Sequence, residues 1–77
     1  MLTADTVLTF LRDDLMIEEP IKPEDALFSS GLLDSVAMMN LITFLEEKTG
    51  GDVRPSDVTL DHFDSIDRIV AYAATLA

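Results

Sequence analysis

The chain has 77 residues and a formal net charge of −10, from five Lys plus Arg against fifteen Asp plus Glu. That length has room for one small domain, and so acidic a surface repels the phosphate backbone of nucleic acid and an anionic membrane face alike. With no cysteine and one histidine, His62, the chain has no disulfide, no thiol chemistry and none of the common zinc ligand sets, while a hydrophobic content of 48% argues against disorder.

The absence of a disulfide framework fits a reducing compartment. Met1-Leu2-Thr3-Ala4-Asp5 lacks the basic start and apolar run of a secretion signal, and no stretch reaches the roughly 18–20 apolar residues of a membrane span. A cytoplasmic monomer with no nucleic-acid or membrane partner is expected. Pro20, Pro23 and Pro55, like Gly31, Gly50 and Gly51, fall between apolar-periodic segments. They punctuate one domain, residues 1–77, rather than divide two.

The first segment, Thr3 to Met16, places Ala4, Val7, Leu8, Leu11 and Leu15 in a stripe about 100° wide, which predicts a helix of about three to four turns. Residues 17–34 contain Pro20, Pro23 and Gly31 and show no sustained period. They form a long loop, and a connection of that length in so small a domain points to function. Leu27, Phe28, Leu32 and Leu33 are apolar enough to pin it to the helices, and Gly31 permits a tight turn, so the loop is expected to be ordered.

Ser35 to Thr49 predicts the second helix, with Met38, Leu41, Ile42 and Leu45 as its core stripe. Val36, Met39, Asn40, Thr43 and Glu47 share the opposite side, which begins apolar and ends acidic. That side is either partly covered by the preceding loop or free as a docking surface. Gly50 or Gly51 ends the helix in the left-handed conformation, with Lys48 near the negative end of the dipole. Ser56, Asp57 and Thr59 offer caps for one brief turn carrying Val58, Leu60 and Phe63. Asp64 or Ser65 then caps a last helix in which Ile66, Ile69, Val70 and Ala73 repeat at helical spacing, with Tyr72 and Leu76 on its flanks. No segment alternates with period two. The expected fold is all-α, a small four-helix bundle of three main helices and one short one, with a long ordered loop between the first two main helices.

Catalytic constellations are missing. One histidine allows at most one imidazole base, no Gly-x-Ser-x-Gly stands in the chain, and the glycines form no phosphate-cradling loop. Asp57, Asp61, Asp64 and Asp67 lack the ligand spacing of an EF-hand, so they read as a solvated face and helix-start charges. His62 reads as a surface or satisfied histidine, and no metal is expected. What remains is Phe28-Ser29-Ser30-Gly31-Leu32-Leu33-Asp34-Ser35-Val36, in which a loop delivers Asp-Ser to the start of an amphipathic helix. Asp34 or Ser35 serves as N-cap. A helix N-terminus also gathers free backbone N–H groups and the positive dipole end, where a phosphodiester on a serine oxygen is well tolerated.

In these residues, and over essentially its whole length, the chain resembles the acyl, aminoacyl and peptidyl carrier protein superfamily. Gly31-Leu32-Leu33-Asp34-Ser35 is similar to its attachment motif, and Phe63-Asp64-Ser65-Ile66 to its anchor before the last helix. The resemblance implies that Ser35 receives 4′-phosphopantetheine from coenzyme A through a phosphopantetheinyl transferase, and that Asp34 helps place the transferase's metal and substrate. It implies a non-catalytic protein whose imported thiol carries acyl or aminoacyl groups as thioesters. It also favours docking through the second helix, at Leu33, Val36, Met39, Asn40, Thr43 and Glu47. The partners implied are a loading adenylate-forming ligase or acyltransferase and downstream tailoring or condensing enzymes.

Fatty-acid carriers typically follow the serine with leucine and line the second helix with acidic residues. Here Val36 follows the serine, and Ala37 and Asn40 stand at positions often acidic there. The Phe-x-x-Gly before Leu-Leu-Asp-Ser resembles stand-alone aminoacyl, peptidyl or D-alanyl carriers instead, which implies service in nonribosomal peptide, polyketide or hybrid assembly. Fatty-acid-type service and, in a different class, a small acidic helical adaptor with no covalent cofactor are the alternatives.

Overall fold

In the computed structural model, which describes residues 2–76, Thr3 opens the first helix: its extended backbone and side-chain oxygen accept the first orphan N–H groups, that of Thr6 at 3.3 Å. Helix α1 spans Ala4–Asp13 and buries Val7, Phe10 and Leu11. It stops short of the expected Met16 because its end is closed by wider bonds. Leu15 N–H donates to the Phe10 carbonyl at 3.3 Å, and Ile17 N–H to the Leu11 carbonyl at 3.0 Å. Between them Met16 takes the left-handed conformation (φ 59°), which leaves its side chain 73% exposed while Leu15 and Ile17 pack against the core.

Helix α2 spans Ser35–Thr49, as expected, and ends at Gly50 in the left-handed conformation (φ 76°). Its orientation differs from expectation. Ala37, Leu41 and Leu45 are buried, whereas Met38 and Ile42 are only partly so. The rotation brings Phe44 onto Phe10, with ring centroids 4.2 Å apart and planes at 18°. Phe10 lies outside the predicted stripe of α1, yet it is buried in this stack.

The expected single turn after α2 is two pieces. A 3₁₀ turn at Pro55–Asp57, with proline at its start, precedes α3 at Leu60–Phe63, of which only Phe63 is buried. Helix α4 spans Ile66–Ala73 and is capped by Ser65, whose hydroxyl accepts Arg68 N–H at 3.1 Å. Tyr72, expected on a flank, points inward and donates its hydroxyl proton to Asp57 at 2.9 Å. Among the described residues there is no strand.

The core joins Val7 and Leu11 of α1, Leu41 and Leu45 of α2, Phe63 of α3 and Ile66 and Ile69 of α4 with Leu27 and Leu33 of the long loop. Leu27 is wholly buried. Burial of that one side chain contributes on the order of 1.5–3 kcal/mol, enough to tie the loop to the bundle.

Candidate functional site

The loop leading to Asp34 and Ser35 is held by a residue far along the chain. Leu27 N–H donates to the Asp64 carbonyl at 2.8 Å, and the Leu27 carbonyl accepts Leu33 N–H at 2.9 Å. The Asp64 carboxylate accepts three more bonds. One oxygen takes Phe28 N–H at 2.8 Å and Ser29 N–H at 2.9 Å, and the other takes the Ser29 hydroxyl at 2.7 Å. Donation from the Ser29 hydroxyl and amide, aided by Phe28 and Leu27, holds the Asp64 carboxyl below its usual range, against a partial desolvation that works the other way. Asp64 therefore does not cap α4, one of the two possibilities its position offers; it clamps the loop.

Downstream, the Ser30 hydroxyl donates to the Ala26 carbonyl at 2.8 Å and accepts Leu32 N–H at 3.3 Å. Gly31 turns the chain at φ 84°, a conformation that costs a glycine no side-chain clash, and its N–H donates to the Phe28 carbonyl at 3.0 Å. Asp34 follows in an extended conformation and its Oδ1 accepts Ala37 N–H at 2.9 Å. Of the two candidates for cap, Asp34 fills the role.

Ser35 is thereby the first residue of α2, exposed, with its hydroxyl not engaged in capping. The first-turn N–H groups of any helix lack partners within it, and the positive dipole end lies here. No acidic residue stands in the first turn of α2 to oppose an anion. An exposed hydroxyl and the first-turn N–H donors left after Asp34 takes that of Ala37 suit a phosphodiester on the Ser35 oxygen.

Val36 and Met39 are 65% and 68% exposed, and Asn40, Thr43 and Glu47 are exposed as well. The loop does not cover this side of α2. Leu33, expected with them, is only 5% exposed and belongs to the core. Its N–H bond to the Leu27 carbonyl joins it to the other buried anchor of the loop. His62 lies against Tyr72, ring centroids 4.7 Å apart. Burial, with the Asp57 hydrogen bond second, raises the Tyr72 hydroxyl above its usual range.

The family model for the phosphopantetheine attachment site matches residues 5–73, from the first turn of α1 to the end of α4. The chain belongs to this family. No curated protein and no solved structure matches it at a significant level. As a phosphopantetheine attachment domain it carries 4′-phosphopantetheine covalently, and such carrier domains are generally non-catalytic, meeting a phosphopantetheinyl transferase and partner enzymes. The group supplies a flexible arm ending in a thiol, to a chain that has no cysteine. Among the described residues, no helix of this phosphopantetheine attachment domain is long and apolar enough to cross a membrane.

Asp64 and Ser29 are the residues that sequence reasoning misses. They stand 35 positions apart, and no helical period or motif spacing links a loop serine to a carboxylate at a distant helix junction.

Proposed function

We propose that the protein is a discrete carrier in which Ser35 bears the 4′-phosphopantetheine arm, with acyl or aminoacyl groups held on the arm as thioesters for successive enzymes of nonribosomal peptide, polyketide or hybrid assembly. The observation that carries this assignment is the exposed Ser35 hydroxyl at the first position of α2, released from capping by Asp34. In the attachment step the Ser35 oxygen forms a bond to the phosphorus of coenzyme A that bears the pantetheine. The pyrophosphate P–O bond breaks, adenosine 3′,5′-bisphosphate leaves, and the hydroxyl proton passes to a base of the transferase. Asp34 uses one oxygen on the Ala37 N–H, and its carboxylate would help place the transferase's metal and substrate.

Docking through Val36, Met39, Asn40, Thr43 and Glu47 is supported by their shared exposure beside Ser35. Loading by an adenylate-forming ligase is supported by the Phe28-x-x-Gly31 approach to the motif, and by Val36, buried Ala37 and neutral Asn40 where fatty-acid carriers favour leucine and acidic residues.

Intact mass after incubation with coenzyme A and a broad-specificity transferase tests the proposal. The expected result is a gain of one phosphopantetheine in the parent protein and none in Ser35→Ala. An unchanged parent mass would favour a small acidic adaptor instead.

A further inference from the structure

The Asp64 hydrogen bonds go to Phe28 and Ser29, not to Asp34 or Ser35. Their reach is nonetheless towards the pair. Leu27 is bonded through its N–H to the Asp64 carbonyl and through its carbonyl to Leu33, the residue before Asp34. Residues 28–32 therefore form a turn closed at Leu27 and Leu33 and clamped at its outer side by one carboxylate. The inner side is buried at Leu27 and Leu33, and the Leu33 N–H bond closes the same turn that the carboxylate clamps. The clamped side is different in kind: Ser29 is exposed, and its order comes from polar bonds rather than from burial. Loss of the carboxylate frees this turn locally while the core stays packed, since exposed, hydrogen-bonded segments open below the global unfolding transition.

We propose that Asp64 is a positioning residue for modification of Ser35: by clamping Phe28 and Ser29 it fixes the loop that presents Asp34 and Ser35 to the transferase. The inference rests on Ser35 being the attachment residue. A loop that is ordered only part of the time reduces the apparent affinity of the transferase by the ordered fraction and leaves the rate at saturation intact. The signature is a raised KM for the carrier with kcat preserved.

Steady-state phosphopantetheinylation of the parent protein, Asp64→Ala and Asp64→Asn, well below their melting temperatures, tests this. Asp64→Ala should raise KM about tenfold, the order that hydrogen bonds to a charged acceptor supply, with kcat within about twofold. Asp64→Asn keeps a carbonyl oxygen for the Phe28 and Ser29 N–H groups and an amide for the Ser29 hydroxyl, so it should recover most of the loss. In Asp64→Ala the amides of Phe28, Ser29 and Leu33 should exchange faster while those of α1 and α4 do not change. An unaltered KM, a loss confined to kcat, or no rescue by asparagine would overturn the positioning role. If Asp64→Ala does not fold, Ser29→Ala, which removes the hydroxyl bond alone, carries the same test with a smaller rise in KM; unchanged KM and exchange there also overturn it. Normal loading of the parent with an indistinguishable Asp64→Ala defeats only this inference, whereas a parent that accepts no arm defeats the attachment assignment beneath it.

Discussion

At the scale of single residues, Asp34 and Ser35 divide two jobs that the sequence leaves joined. An Asp-Ser pair before a helix announces a cap, but either side chain could supply it, and only the extended backbone at Asp34 decides. The division predicts unequal costs. Asp34→Ala should lower stability by about 0.5–2 kcal/mol, the usual loss for a cap, while Ser35→Ala should cost less than about 0.5 kcal/mol. Thermal or urea unfolding of the two variants measures both. Equal losses would mean that the serine shares the cap. Asp64 shows the same ambiguity resolved in the opposite direction: with Ser65 capping α4, the aspartate is free to bind the loop.

At the scale of elements, helical periodicity located all three main helices, because each carries its own apolar stripe. It was weakest where a helix is apolar on several sides. In α2, Val36, Ala37, Met38 and Met39 follow one another, so the pattern alone does not say which faces the core. The Phe10–Phe44 stack does, and it pairs residues of two different helices, which no single-segment period records. The end of α1 was misplaced for a related reason. Leu15 fits the helical stripe, yet it reaches the core from a closing turn made by Met16 in the left-handed conformation. A residue with a Cβ pays about 1–2 kcal/mol there, and Met16 is 73% exposed, so little packing is lost on its removal. Met16→Gly should therefore raise stability by up to about 1 kcal/mol, or on the order of 4–8 °C in melting temperature for a domain of this size. A lower melting temperature would show that the Met16 side chain contributes packing that outweighs its backbone strain.

For the molecule as a whole, the net charge of −10 and the uncovered side of α2 belong together. Acidic surfaces speed encounter with basic partners and contribute less to the lifetime of the complex, which suits the proposed service to successive enzymes. Met39→Glu should leave unfolding unchanged within about 0.5 kcal/mol, since the residue is exposed. It should weaken at least one partner about tenfold, the scale of a moderate interface contact. Unaltered kinetics with every partner enzyme would remove Met39 from the proposed docking face. The all-helical order and the Asp34-Ser35 motif were legible because they are local in sequence. The loop's anchorage was not, because Phe28 and Ser29 meet Asp64 only after the chain has closed on itself.

The most direct measurement is fragmentation mass spectrometry of the loaded protein to locate the attached group. A single phosphopantetheine on Ser35 is the predicted result. Attachment at Ser29, Ser30, Ser56 or Ser65, or loading that persists in Ser35→Ala, would contradict it.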